Sequence, residues 1–99
     1  MKSVNTFTRK MLLRIFKNRC VLCQKVATDV HEIVPRSQMK DWDNWENQVT
    51  LCKDHHFWVH DNGPQNAAPL LKAKRKARLI AYHGTSDYEA IRELCDIHD

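Results

Sequence analysis

The residues able to do chemistry are concentrated in one stretch of the chain. Cys20, Cys23 and Cys52 fall together with His31, His55, His56 and His60, while Cys95 stands far downstream. Cys20-Val-Leu-Cys23 is followed, after 28 intervening residues, by Cys52-Lys-Asp-His55. Two short knuckles of this spacing supply three thiolates and one imidazole, a tetrahedral set suited to structural Zn²⁺. A redox C-x-x-C expects a βαβ setting, and none surrounds Cys20. No secretory signal is recognisable at the N-terminus, so the expected compartment is the reducing cytoplasm, where disulfides are rare.

Three histidines remain beside that set. His56 and His60 are four residues apart. On a helix this spacing puts both imidazoles on one face, able to grip a single cation. A metalloprotease would need Glu directly after the first histidine, and here that residue is Phe57. His31 lies in a β-branched segment next to Glu32. A strand, a loop, a second strand and a helix bearing two histidines can enclose one divalent ion such as Mg²⁺, Mn²⁺ or Ni²⁺. Such a set suits phosphodiester hydrolysis. The ion neutralises charge on the scissile phosphate and the leaving oxygen, and a nearby base takes a proton from water.

Elements of suitable kind are readable around these residues. Residues 6–18 predict a helix, capped by Thr6 or Thr8, with Met11, Leu12, Ile15 and Phe16 as its apolar stripe. Residues 26–34 predict a strand, which Pro35 then disfavours. A polar loop over 36–46 contains Trp42 and Trp45. Residues 49–51 predict a short strand, and Asp54 to His60 a helix closed by Asp61-Asn62-Gly63-Pro64. Two more helices are expected, at about 66–82 with Leu70, Leu71, Leu79 and Ile80 inward, and at about 87–95 with Tyr88, Ile91, Leu94 and Cys95 inward.

The whole chain, 99 residues, fits one small domain with a marginal core, so a metal staple would add needed stability. No apolar run approaches the roughly 18 residues of a membrane span. Net charge is +4, but it is segregated. Residues 1–40 hold nine Lys/Arg against two acids, and residues 67–86 hold five against none. The intervening and final segments are acidic. The densest basic run is Lys72, Lys74, Arg75, Lys76 and Arg78, which with the basic N-terminal helix suggests a DNA-phosphate surface rather than a merely solvated face.

Several of these pieces, in order, resemble the HNH endonucleases. They are Cys20-x2-Cys23, Val30-His31-Glu32-Ile33-Val34-Pro35-Arg36-Ser37, Glu46-Asn47-Gln48-Val49-Thr50-Leu51-Cys52 and Cys52-x2-His55-His56-x3-His60. The likeness covers about residues 19–61. It implies an α+β fold with a small ββα-metal (His-Me finger) core, flanking helices and a structural zinc knuckle, all within one nuclease domain over 1–99. It implies a metal-dependent DNA endonuclease that nicks or cuts both strands. Small members of that family are common in phages, and some act beside the packaging terminase, so the host cytoplasm is the expected location.

Residue by residue, the resemblance places Cys20, Cys23, Cys52 and His55 at the zinc positions, where the family usually has Cys instead of His55. It places His56 and His60 as helix-borne ligands of the catalytic ion and Asn47 as a loop-tying hydrogen-bonder. The family commonly carries a (His/Asp)-His pair on the first strand, metal ligand first and general base second. Here the pair is His31-Glu32, with three readings: Glu32 is the base, His31 is the base, or the chain binds nucleic acid without cutting well. A strand alternates its side chains, so both facing inward would require a bulge or the strand end. The rival from another class is a non-catalytic, zinc-stabilised DNA- or protein-binding accessory module. Trp42, Trp45 and Trp58 could stack on bases but are expected in the core. Asp29 could orient His31 or serve as a cap. His83 and His98 are expected at the surface, and Cys95 as a small core residue.

Overall fold

A computed structural model describes residues 6–34 and 45–97. Pro35, Arg36, Trp42 and His98, together with most of the 36–46 loop, lie outside the described residues. Among the described residues the architecture is α+β, with four α-helices and one two-stranded antiparallel sheet.

The first helix, α1, spans Thr6–Ile15. Met11, Leu12, Ile15 and Phe16 recur at helical spacing, and all are buried. The helix stops short of residue 18 because Lys17 and Asn18 take left-handed φ values of 57° and 58°. The Asn18 N–H reaches back to the Leu13 carbonyl at 2.7 Å, which closes the C-terminus in the Schellman manner. This reversal delivers the chain into the first cysteine knuckle. There Arg19 pairs with Val26, and the Cys20 N–H donates to the Lys25 carbonyl at 2.7 Å.

Strand β1 is Asp29–Glu32 and strand β2 is Gln48–Leu51. Their register is Asp29 opposite Leu51, Val30 opposite Thr50, His31 opposite Val49 and Glu32 opposite Gln48. The expected strand over 26–34 is thus only four residues long. Its beginning is used by the knuckle, and at its far end a side chain replaces the ladder: Asn47 bonds both backbone groups of Val34. All four residues of β2 are buried, with α1 and the following helix both in contact with it.

That following helix, α2, spans Lys53–Asn62. Cys52 is its N-cap, and its Sγ accepts the His55 N–H. The break falls at Gly63, whose φ of 92° suits glycine, and at Pro64, which opens α3 (Pro64–His83). Gly84 ends α3 with φ 76°, its N–H on the Ile80 carbonyl. Helix α4 is Tyr88–Leu94, capped by Asp87, whose carboxylate accepts the Ala90 N–H at 3.0 Å.

Two expected core stripes are corrected. On α3 the buried residues are Ala67, Leu71 and Leu79, while Leu70 and Ile80 are exposed. The docked face is therefore rotated from the one that counting leucines suggests. On α4 only Ile91 is buried; Leu94 faces solvent, and Tyr88 and Cys95 pack at the core edge. Among the described residues, no helix is long and apolar enough to cross a membrane.

Candidate metal centres

The first cluster joins the knuckle to the start of α2. Cys20, Cys23, Cys52 and His55 present their ligand atoms within 4.8 Å of one another. Cys23 Sγ and Cys52 Sγ are 3.7 Å apart, Cys20 Sγ and His55 Nδ1 are 3.6 Å, and Cys52 Sγ and His55 Nδ1 are 3.3 Å. Around a tetrahedral Zn²⁺, with Zn–S ~2.3 Å and Zn–N ~2.0 Å, sulfurs stand about 3.8 Å apart and sulfur and nitrogen about 3.5 Å. A disulfide would require about 2.05 Å between sulfurs. The cysteines are free thiols spaced as the edges of a tetrahedron. The residues fit a zinc ion of the Cys₃His kind.

Electrostatics points the same way. Burial pushes the Cys23 thiol up, but the Lys25 N–H and the thiols of Cys52 and Cys20, with the Lys25 charge, outweigh it and bring the thiol below its usual value. Cys52 moves the other way, raised first by burial and further by Cys23 and Cys20 despite the His55 N–H. Packed thiols of this kind cannot all ionise without a cation between them. A divalent ion with thiolate affinity removes that conflict.

The second cluster lies between β1 and the other face of α2. His31, His56 and His60 present ring nitrogens within 4.8 Å of one another. Their ring centroids are 5.4 Å (His31–His56), 5.7 Å (His31–His60) and 4.8 Å (His56–His60) apart. His56 Nε2 and His60 Nε2 stand 3.2 Å apart. Neighbouring nitrogens ~2.1 Å from a shared ion are separated by about 3.0–3.4 Å. His31 is only 6% exposed, and its Nε2 is buried with no hydrogen-bond partner. A buried polar atom without a partner is costly, and an ion held among the three rings would satisfy it.

Burial, followed by the neighbouring His56 and His60 rings, pushes the His31 pKa down to about 4. Its ring is therefore neutral at physiological pH, the state a metal ligand requires. The His56 Nδ1–H donates to Asp29 Oδ2 at 3.0 Å, which leaves the His56 Nε2 lone pair directed toward His60. Asp29 was expected to orient His31 or to cap; its partner is instead His56. An open cleft of ≈ 230 Å³ borders the cluster, lined by Asp29, Lys53, His56, Phe57 and His60.

Asn47 sits at the hinge between the strands. Its Oδ1 accepts the Val34 N–H at 2.8 Å, and its Nδ2 donates to the Val34 carbonyl at 3.0 Å. The Asn47 carbonyl also accepts the Ile33 N–H at 2.7 Å. These bonds hold the end of β1 against the start of β2 and so fix the depth of His31. The β1–β2 register runs unbroken through His31 to Glu32, the last residue of β1.

The basic run on α3 divides in two. Lys72 and Lys76 are exposed, and Lys74 is half-buried. Arg75 turns inward: its Nε donates to the Gln48 carbonyl and an Nη2–H to the Trp45 carbonyl, each at 3.1 Å. Its guanidinium stands 4.2 Å from the centre of the Trp45 ring, a cation–π contact. Burial brings the Arg75 pKa down to about 10, against the pull of Glu46, and the group stays charged. Arg78 donates through Nε to the Val21 carbonyl at 2.9 Å. Both arginines pin backbone of the knuckle and of the start of β2 to α3, a use that charge counting does not distinguish from phosphate binding.

Trp45 is buried against Tyr88, with ring centroids 4.5 Å apart, whereas Trp58 is partly exposed beside His55. His83 was expected at the surface; it is half-buried, and its Nε2–H donates to the Ile15 carbonyl at the end of α1. Sequence reasoning passed over Lys53 and gave Phe57 no role. The i, i+3, i+4, i+7 pattern of Lys53, His56, Phe57 and His60, one face of a helix, was the signal that could have found them. Comparison of the chain with protein-family models, with curated proteins and with solved structures gives no match.

Proposed function

We propose that this chain is a metal-dependent DNA endonuclease of the HNH kind, with a structural zinc at Cys20, Cys23, Cys52 and His55 and a catalytic ion at His31, His56 and His60. The observation that carries the proposal is the convergence of three imidazoles from β1 and α2 around the unpartnered His31 Nε2, at the edge of an open cleft. A strand pair and a helix in chain order, with Asn47 tying the strands, support a ββα-metal core.

When bound, the divalent ion would neutralise charge on the scissile phosphate and on the leaving oxygen. The protein's own groups prepare the site. His31 stays neutral with its lone pair available, because burial disfavours its protonated form. Asp29 selects the His56 tautomer and fixes that ring. Asn47 sets the depth of His31 through Val34. Lys53 lines the cleft, and its flexible side chain would bring an ammonium to the phosphate. In the hydrolysis a water oxygen bonds to phosphorus and gives up one proton, the ester P–O bond breaks, and the leaving oxygen takes up a proton, so the net transfer is from the water to the leaving group. Regular strand alternation would turn Glu32 away from His31, so this reading assigns it no step.

Nicking of supercoiled plasmid by zinc-loaded protein tests this reading, with Mg²⁺, Mn²⁺ or Ni²⁺ against EDTA. Wild type is expected to nick with at least one of the three ions. His60→Ala is expected to lose nicking while keeping zinc and far-UV circular dichroism. Glu32→Gln is expected to cut within a few-fold of wild type; a loss on the order of 10²–10⁴ would restore Glu32 as the base. Wild type that binds DNA but cuts it with none of the ions would replace the enzyme by an accessory binding module.

A further inference from the structure

The cleft beside the three histidines has a composition that the cutting reaction alone does not explain. Its α2 wall is Lys53, His56, Phe57 and His60, one continuous helical face. Phe57 is 70% exposed there, among the most exposed large apolar residues described. Its ring borders the same opening as the lysine one turn before it and the two histidines on either side.

A phosphate group accounts for Lys53 and for a cation at the histidines, but an anion gains nothing from a phenyl ring. A nucleobase does, because every base has a π-face on which an aromatic ring can stack. In a duplex those faces are covered by neighbouring base pairs, and an aromatic side chain reaches them only where the strand is unpaired or a base has left the stack. The cleft, ≈ 230 Å³, lies below the roughly 300–1,000 Å³ of pockets that enclose a drug-sized ligand. That size suits one planar base-sized group at an open rim. The tryptophans that could stack on bases are placed otherwise: Trp45 is covered by Tyr88 and Arg75, and Trp58 stands by His55 outside the cleft lining.

We infer that this cleft takes an unpaired DNA strand, with one base stacked on Phe57 and an adjoining phosphate paired with Lys53 beside the three histidines. The inference rests on the reading of that cluster as a DNA-cleaving centre, and it names the substrate as single-stranded or locally unpaired DNA. Phe57 is then a substrate-binding residue and Lys53 its electrostatic partner.

Fluorescence anisotropy tests it with zinc-loaded protein and a labelled oligonucleotide, presented single-stranded and as its duplex, with no second metal added. Stacking worth about 1–3 kcal/mol per base corresponds to a change of about 5–150-fold in affinity. Phe57→Ala and Phe57→Leu are expected to weaken single-strand binding by that factor and duplex binding by less than about twofold. Phe57→Trp is expected to preserve single-strand binding. Lys53→Gln should lower the salt slope on the single strand by about one phosphate contact. Single-strand affinity unchanged in Phe57→Leu, or equal losses on strand and duplex, would overturn the inference.

Plasmid nicking, run in parallel, separates this from the proposed function. If wild type nicks and Phe57→Leu binds single strands normally, the base-stacking site falls and the endonuclease stands. If wild type never cuts while the Phe57 effect persists, the endonuclease falls and the strand-binding cleft stands.

Discussion

His55 and His56 are consecutive on α2, yet each belongs to a different cluster. A helix turns about 100° per residue, so neighbouring side chains face different surroundings. His55 turns toward Cys20 and Cys23 of the knuckle and Cys52 at the helix's own N-cap, with the Lys25 and His55 N–H groups steadying the sulfurs. His56 turns toward β1, which contributes a carboxylate to its Nδ1 and an unpartnered imidazole nitrogen across from its ring. The first set fills its own tetrahedron. The second offers three ligands among the described residues and opens on a cleft. A closed four-ligand site stabilises a fold, and a site with an open position can meet a substrate. One helix serves both because the knuckle packs on one of its flanks and the strand pair on another.

If this contrast is right, perturbing the two sites must have different kinds of consequence. The largest effect belongs to the sulfur site. Cys52→Ser, or zinc removal by a strong chelator, should abolish cooperative thermal unfolding, followed by circular dichroism. Structural zinc contributes about 10–16 kcal/mol in small domains, more than the core of a chain this size can replace. Retention of a sharp transition in zinc-free protein would remove the sulfur site from its structural role.

A smaller effect comes from protonating the histidine site. The folded His31 pKa is about 4, against the ordinary value of 6.5. Between these two values the unfolded chain binds a proton that the folded chain refuses. Stability is therefore fully present above about pH 6.5, is lost as pH falls through the window, and stops falling below about pH 4. The whole loss is on the order of 3 kcal/mol. Denaturant unfolding of zinc-loaded protein across this range measures it. Because zinc thiolates also protonate in acid, the comparison is with His31→Leu, which should show a shallower slope. Equal slopes would mean that His31 is not held neutral by burial.

Smaller still is the effect of the carboxylate behind His56. Asp29→Asn should weaken divalent-ion binding at the histidine site by about 10–100-fold, read by calorimetric titration with Ni²⁺. Zinc content should not change. A loss of zinc together with the nickel site would show that Asp29 supports the fold as a whole.

Sequence reasoning succeeded where ligand spacing is a local property. Cys20–Cys23 and Cys52–His55 each sit within one turn of chain, and His56 and His60 share a helix face whatever that helix packs against. The α+β class, expected from the family resemblance, agrees with the observed helices and strand pair. Sequence reasoning failed where the answer lay in docking. Asp29 meets His56 only because β1 lies across α2, and nothing local encodes that crossing. Arg75 and Arg78 look like part of a solvent-facing charge run until α3 is set against the segments whose carbonyls they bind. Leu70 and Ile80 are apolar but fall outside the arc that docking selects. The shortened α1 had its cause in two left-handed residues, Lys17 and Asn18, of which only Asn has a known leaning that way.

The division between a closed and an open metal site is tested most directly by titrating metal-free protein with Co²⁺ and following its absorption. The first ion bound should bring the intense thiolate-to-metal charge-transfer band and the visible bands of a tetrahedral site. A second, weaker ion should add no thiolate absorption in wild type and should be lost in His60→Ala, with the first unaffected. A single binding event, or a second ion that also draws on thiolate, would contradict the account.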